Sequence, residues 1–200
     1  MRVALIRHGQ TDWNLAGRMQ GRTDTALNAT GRGQALELAA RLSLQGPWHA
    51  VVTSPLARAA STAELLAQQL GISEVVPCEG LVERSFGHAE GLSPDEARDR
   101  WPTRVYPEME HPDETAVRGE RALAAIASRF PGQRVIAVSH GSFIRHLLAH
   151  LAGVEVQSVP RIPNVGVAEL ERDSDGGWRI EQFEGAPWSL SGAEAAPPSA

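Results

Sequence analysis

The chain has 200 residues, of which 42% are hydrophobic, enough to bury a full core as one domain. Its formal net charge is −5 and all 19 basic residues are arginine, which argues against a nucleic-acid binder working through a basic surface. The absence of lysine also removes lysine phosphate loops, Schiff bases and lysine nucleophiles, and leaves guanidinium forks, which match phosphate oxygens two at a time.

A short apolar run, Val3–Ile6, opens the chain as a predicted strand. Ala35, Leu38, Ala39 and Leu42 then follow helical spacing up to Gly46-Pro47. Ala50–Thr53 reads as a second strand. It leads to a helix carrying Leu56, Ala59, Ala63, Leu66 and Leu70, with Ser54 expected as N-cap, Pro55 as first helical residue and Gly71 past the end. Glu74–Pro77 is a third strand. Residues 84–114 fit neither period and are expected to be an excursion with one short helix near Pro94–Arg100. Leu123, Ile126, Ala127 and Phe130 mark a helix stopped by Pro131-Gly132, and Val135–Ser139 a strand. Phe143, Ile144, Leu147, Leu148 and Leu151 mark a further helix ending at Gly153. Val165–Glu171 and Trp178–Glu184 flank the turn sequence Asp173-Ser174-Asp175-Gly176-Gly177 and form a hairpin. This alternation predicts an α/β protein, a three-layer α/β/α sandwich on a mostly parallel sheet. A single domain is expected over 1–191, with residues 192–200 a tail without structure.

Two of the strands end in His-Gly: Arg7-His8-Gly9 after Val3–Ile6, and Ser139-His140-Gly141 after Val135–Val138. Parallel strands would bring both imidazoles to one rim of the sheet, where open α/β sheets bind ligands. An arginine beside His8 points to phosphate. Thr53-Ser54-Pro55-Leu56-Ala57-Arg58 brings a second arginine on a strand-to-helix turn, and Leu81-Val82-Glu83 a carboxylate. Gly9 is expected to let the backbone approach an anion closely, and the helix after Gly141 to present its N-terminus to the ligand of His140. The one cysteine, Cys78, excludes an intrachain disulfide and a cysteine-built zinc site. No segment approaches the ~20 apolar residues of a membrane span. Met1-Arg2 runs straight into the first strand, so no signal peptide is expected and a cytoplasmic location is the default.

At these residues the chain resembles the histidine phosphatase superfamily, with its phosphoglycerate mutase-like fold. The resemblance rests on Arg7-His8-Gly9-Gln10-Thr11 with Trp13-Asn14 and on Gln20-Gly21 with Asp24. It continues through Ser54-Pro55-Leu56 with Arg58-Ala59, Glu83 with Phe86-Gly87 and Glu90-Gly91, and Ser139-His140-Gly141 with Arg145. It implies that His8 attacks phosphorus, that Arg7, Arg58 and His140 clamp the phosphoryl oxygens, and that Glu83 is the proton donor. Asn14, Gln20, Gly21 and Gly141 would contact the substrate, a small phosphorylated metabolite. No cofactor, metal, nucleic acid or membrane partner is implied, and the oligomeric state is not legible.

The implied activity is metal-independent phosphomonoester hydrolysis through phosphohistidine. The rival within the family is a phosphoglycerate mutase. Mutases of this family usually carry a tyrosine three residues after the glutamate, then a lysine and two adjacent arginines. Here Phe86 takes the tyrosine position, lysine is absent, and Arg98-Asp99-Arg100 does not make the pair, so the pattern looks like the broad phosphatase branch. A binding module without catalysis would be expected to have lost the nucleophile or the acid, and both are present. Arg18, Arg22 and Arg84 lie near the site in the family pattern but read first as surface arginines. His146 and His150 have ligand spacing without the glutamate of a zinc-protease helix, and read as structural.

Overall fold

The computed structural model describes residues 1–189; the expected unstructured tail lies outside the described residues. Seven strands form one sheet in the order β3-β2-β4-β1-β5-β6-β7. The strands β1 (Arg2–Arg7), β2 (Ala50–Thr53), β3 (Val75–Pro77) and β4 (Arg134–Ser139) are parallel to one another. An antiparallel wing of β5 (Val167–Arg172), β6 (Trp178–Phe183) and β7 (Ala186–Pro187) adds to the free side of β1.

Side-chain alternation along β1 explains the layers. Val3 and Leu5 point into a core with α5 (Pro112–Arg129) and α6 (Gly141–Ala152), represented by Leu123, Phe143 and Leu147. Ala4 and Ile6 point the other way, onto Leu38, Leu42, Ala63 and Leu66 of α2 (Ala29–Ser43) and α3 (Ala57–Leu70). Both faces of β1 are therefore dry, which is why its sequence is a continuous apolar run and not an alternating one. The protein is the expected three-layer α/β sandwich. Two small helices, α1 (Asp12–Leu15) and α4 (Pro94–Arg100), lie outside the layers.

Three of the boundaries that differ from expectation have an identifiable physical cause. The helix α3 starts at Ala57 and not at Pro55; Ser54 Oγ accepts the Leu56 N–H at 3.3 Å just ahead of it, and Asp24 Oδ1 accepts the Ala57 N–H at 2.8 Å. The helix α5 begins at Pro112, capped by a His111–Glu114 box, so the excursion ends at residue 111. Its first turns bury only small residues, Thr115, Ala116 and Gly119, and so lack an apolar stripe. Strand β5 begins at Val167, because Val165 holds a left-handed φ of 53° that no strand accommodates.

Candidate active site

Strands β1 and β4 are adjacent and in register, Arg7 opposite Ser139, and the His8 N–H donates to the Ser139 carbonyl at 2.9 Å. The residues that follow, His8 and His140, therefore emerge side by side. Their ring centroids are 5.1 Å apart with a 60° tilt, and both side chains are buried.

Each imidazole has one ring nitrogen engaged by a neighbour. His8 Nδ1 lies 2.7 Å from the Gly9 carbonyl oxygen, which can only accept, so the ring proton sits on Nδ1 and the Nε2 lone pair is free. His140 Nε2 lies 2.8 Å from Ser54 Oγ. That hydroxyl also accepts the Leu56 N–H, and with its own proton directed at Nε2 the His140 proton sits on Nδ1. Burial pushes both imidazoles well below the ordinary 6.5, and for His8 the guanidinium groups of Arg58 and Arg7 push further in the same direction. At neutral pH both imidazoles are therefore uncharged.

Arginines surround this pair. Arg7 donates through Nη1 to the Ile162 carbonyl at 2.8 Å. Arg58, fully buried, donates through Nη2 to Gly21 O at 2.7 Å and through Nη1 to Thr23 O at 2.9 Å. Arg7 Nε, Arg58 Nε and His140 Nδ1 are buried nitrogens with no hydrogen-bond partner among the described residues. The guanidinium groups of Arg7 and Arg58 line the cavity beside His8, a pair that matches an oxyanion with several oxygens. Among the described residues no group of three or more His, Cys, Asp or Glu side chains is placed to hold a metal ion.

The carboxylate opposite belongs to Glu83, which is buried. Its Oε1 accepts the N–H groups of Arg84 (2.8 Å) and Phe143 (2.7 Å), and its Oε2 that of Ser142 (3.1 Å). Burial raises its pKa above 4.5, and the three N–H bonds oppose the rise without cancelling it. The N-terminus of α6 was expected to face the ligand of His140; its Ser142 and Phe143 N–H groups instead serve Glu83.

Arg7, His8, Asn14, Arg58, Glu83 and Gly141 line a cavity of about 430 Å³. Met19, Gln20, Phe86 and Ile162 line it too, with Arg18, Arg84, Arg145 and Arg161. Six arginines and one carboxylate thus face a single cavity in a chain of net charge −5. His140 is not part of the lining surface; it lies behind it against His8.

Of the expected substrate contacts, Asn14 faces the cavity with its Oδ1 held by Thr11 N–H and Asn164 Nδ2. Gln20 faces it too, its Oε1 accepting from Thr25 Oγ1. Gly21 does not line the cavity: its carbonyl faces Arg58, and its α-carbon faces Glu90. Gly141 lies under Arg7, where an added Cβ would come 3.2 Å from Nε. Gly9 has a different role from the one expected. Its N–H donates to Thr62 Oγ1, and a Cβ there would strike the Gly31 carbonyl at 2.5 Å, so the close approach is to α2 and not to an anion.

Sequence reasoning passed over Asn164, Arg161 and Ser142. Asn164 ties the His8 carbonyl (3.0 Å) to Asn14, and its only signal is a Pro163-Asn164 turn dipeptide. His146 Nδ1 donates to Ser142 O at 2.7 Å and its side chain also lines the cavity, whereas His150 Nε2 faces Glu120 Oε2 at 3.3 Å.

The sheet order and the guanidinium-lined cavity with two neutral imidazoles define an α/β protein built to hold an oxyanion. The chain belongs to the histidine phosphatase superfamily, branch 1, whose family model matches residues 3–184. It is 38% identical over 183 residues to the uncharacterized phosphatase PhoE of Bacillus subtilis, covering 90% of this chain and 93% of that protein. It is 34% identical to a metal-independent phosphoserine phosphatase of Arabidopsis thaliana, over 82% of this chain and 74% of the relative. Among solved structures it is similar to mycobacterial glucosyl-3-phosphoglycerate phosphatase with VO3, with a TM-score of 0.83 and 28% identity. That alignment spans 92% of this chain and 98% of the other.

Proposed function

We propose that this protein hydrolyses phosphomonoesters of small metabolites without a metal, through a phosphohistidine on His8. The observation that carries the reading is His8, whose Nδ1 proton is held by the Gly9 carbonyl so that Nε2 presents a lone pair in a cavity lined by Arg7 and Arg58.

In the first step His8 Nε2 attacks phosphorus and the ester P–O bond breaks. The leaving oxygen takes the proton of Glu83, whose pKa is raised by burial as an acid of this kind requires. In the second, Glu83 takes a proton from water as the water oxygen attacks phosphorus, and the P–N bond breaks to release phosphate and neutral His8. Arginine supplies the fixed positive charge that stabilises the phosphoryl group in flight. Phosphomonoester hydrolysis without an enzyme is so slow that enzymes accelerate it by up to ~10²¹-fold. Removing one preorganised donor costs about 10²–10³ in rate, so several convergent donors plus a covalent step are needed to reach such a figure.

The experiment is hydrolysis of p-nitrophenyl phosphate in excess EDTA, with acid-quenched trapping of labelled enzyme. Turnover is expected to survive the chelator, and the label to reside on His8 and vanish in His8→Ala. Chelator sensitivity, or label on another residue, would overturn the reading.

A further inference from the structure

Glu90 carries four hydrogen bonds and touches none of the cavity. Its Oε1 accepts the N–H groups of Arg22 (3.0 Å) and Phe86 (3.1 Å); its Oε2 accepts the N–H (2.9 Å) and hydroxyl (2.6 Å) of Thr23. The same short segment holds Arg58 from its other side. The Gly21–Arg22 peptide gives its N–H to Glu90 and its carbonyl to Arg58 Nη2, opposite directions because a trans peptide points the two groups apart. Thr23 likewise gives its N–H and hydroxyl to Glu90 and its carbonyl to Arg58 Nη1. A carboxylate and a guanidinium thus grip one stretch of main chain from two faces.

Gly21 makes the grip possible. It holds a φ of 53°, and a Cβ there would lie 2.0 Å from Glu90 Oε1. The indirect arrangement also has a chemical advantage. A carboxylate bonded straight to Arg58 would offset its charge. Two carbonyls fix the guanidinium in place without adding a counter-charge to it.

Resting on the reading of phosphoryl transfer to His8, we propose that Glu90 is a positioning residue that fixes Arg58 through the main chain of Gly21 to Thr23, and that Gly21 serves to admit the Glu90 carboxylate. The Phe86 N–H on the same carboxylate oxygen as Arg22 ties the wall of the cavity to this mount.

The test is a double-mutant cycle on p-nitrophenyl phosphate between Glu90→Gln and Arg58→Ala, with kcat and KM measured separately. An amide cannot accept at both oxygens, so the Thr23 side of the grip is lost in Glu90→Gln. A clamp shifted by a fraction of an ångström is expected to lower kcat about 10- to 100-fold while KM moves less than about threefold. In the Arg58→Ala background the same substitution is expected to cost less than about threefold, because its only route to the chemistry is gone. Thr23→Val, which removes the hydroxyl bond alone, keeps the question answerable if Glu90→Gln does not fold; its smaller kcat loss is likewise expected to vanish without Arg58. Additive losses, or an unchanged kcat in the single variants, would overturn the proposal. Wild-type enzyme that forms no phosphohistidine at His8 would instead overturn the reading on which it rests.

Discussion

Replacing Glu83 by glutamine separates acid catalysis from every other role of that side chain. The amide must put its NH2 where one carboxylate oxygen was. At Oε1 it would face two N–H donors at 2.8 and 2.7 Å; at Oε2 it faces one, at 3.1 Å, so the Oε2 position is the one it takes. One buried N–H, that of Ser142, loses its acceptor, at a cost of about 1–3 kcal/mol. Against this, the buried carboxylate is itself a burden to the fold. Its pKa is raised on folding, so the penalty is absent below the ordinary 4.5 and fully present once the pH exceeds the folded value. Stability of the variant relative to wild type should therefore improve as pH rises through that window, while activity collapses. General acid catalysis contributes about 10²–10⁴-fold, and that is the expected loss on an alkyl phosphate, whose leaving oxygen needs a proton. On p-nitrophenyl phosphate the first step should lose much less, because nitrophenolate departs unprotonated. The second step still lacks its base, so stopped-flow should show a burst of nitrophenolate and accumulation of phosphoenzyme. Equal losses on both substrates with no burst would refute the assignment of Glu83 as acid and base.

Ser54→Ala removes the hydroxyl that fixes the His140 tautomer; kcat should fall about tenfold or more, and a wild-type kcat would show that the Nδ1 proton does not depend on Ser54. Because His8 and His140 are held neutral by burial and nearby arginines, their contribution to stability is full above the ordinary 6.5 and is lost as pH falls below it toward the folded values. Denaturant midpoints between pH 7.5 and 5 should drop accordingly, and less so in His140→Asn; a flat profile would contradict the burial argument. Gly9→Ala drives a methyl into the Gly31 carbonyl and should cost about 1–3 kcal/mol in urea melts; an unchanged midpoint would mean that the seam between β1 and α2 opens freely.

The layers and the inner site were legible because single residue types carried them. Apolar runs gave the parallel strands, and two His-Gly strand ends gave the imidazole pair. What was not legible depended on distant partners. Ser54 looks like an N-cap in any local reading, and its Oγ does accept the Leu56 N–H; only the neighbourhood of β4 shows that the same hydroxyl also meets His140 and that Asp24 takes the Ala57 N–H. Gly9 and Gly21 misled for a related reason. They sit in phosphate-site motifs, yet the close approaches they allow are to Gly31 and Glu90, within the protein, whereas Gly141 does line the cavity. The first half of α5 was hidden because Thr115, Ala116 and Gly119 bury too little apolar surface to mark a face.

The pitch of the sheet sets the separation of the two imidazoles. Their 5.1 Å spacing is close to the ~4.8 Å between hydrogen-bonded strands, and the His8–Ser139 main-chain bond locks the register. The innermost spacing of the site is thus inherited from backbone geometry that no surface substitution can change. Replacement of the segment after Glu83 could then redirect the enzyme to other metabolites while leaving the reacting atoms where they are. Such a graft would have to carry a glutamate at position 90 with it, since that segment also holds the mount of Arg58.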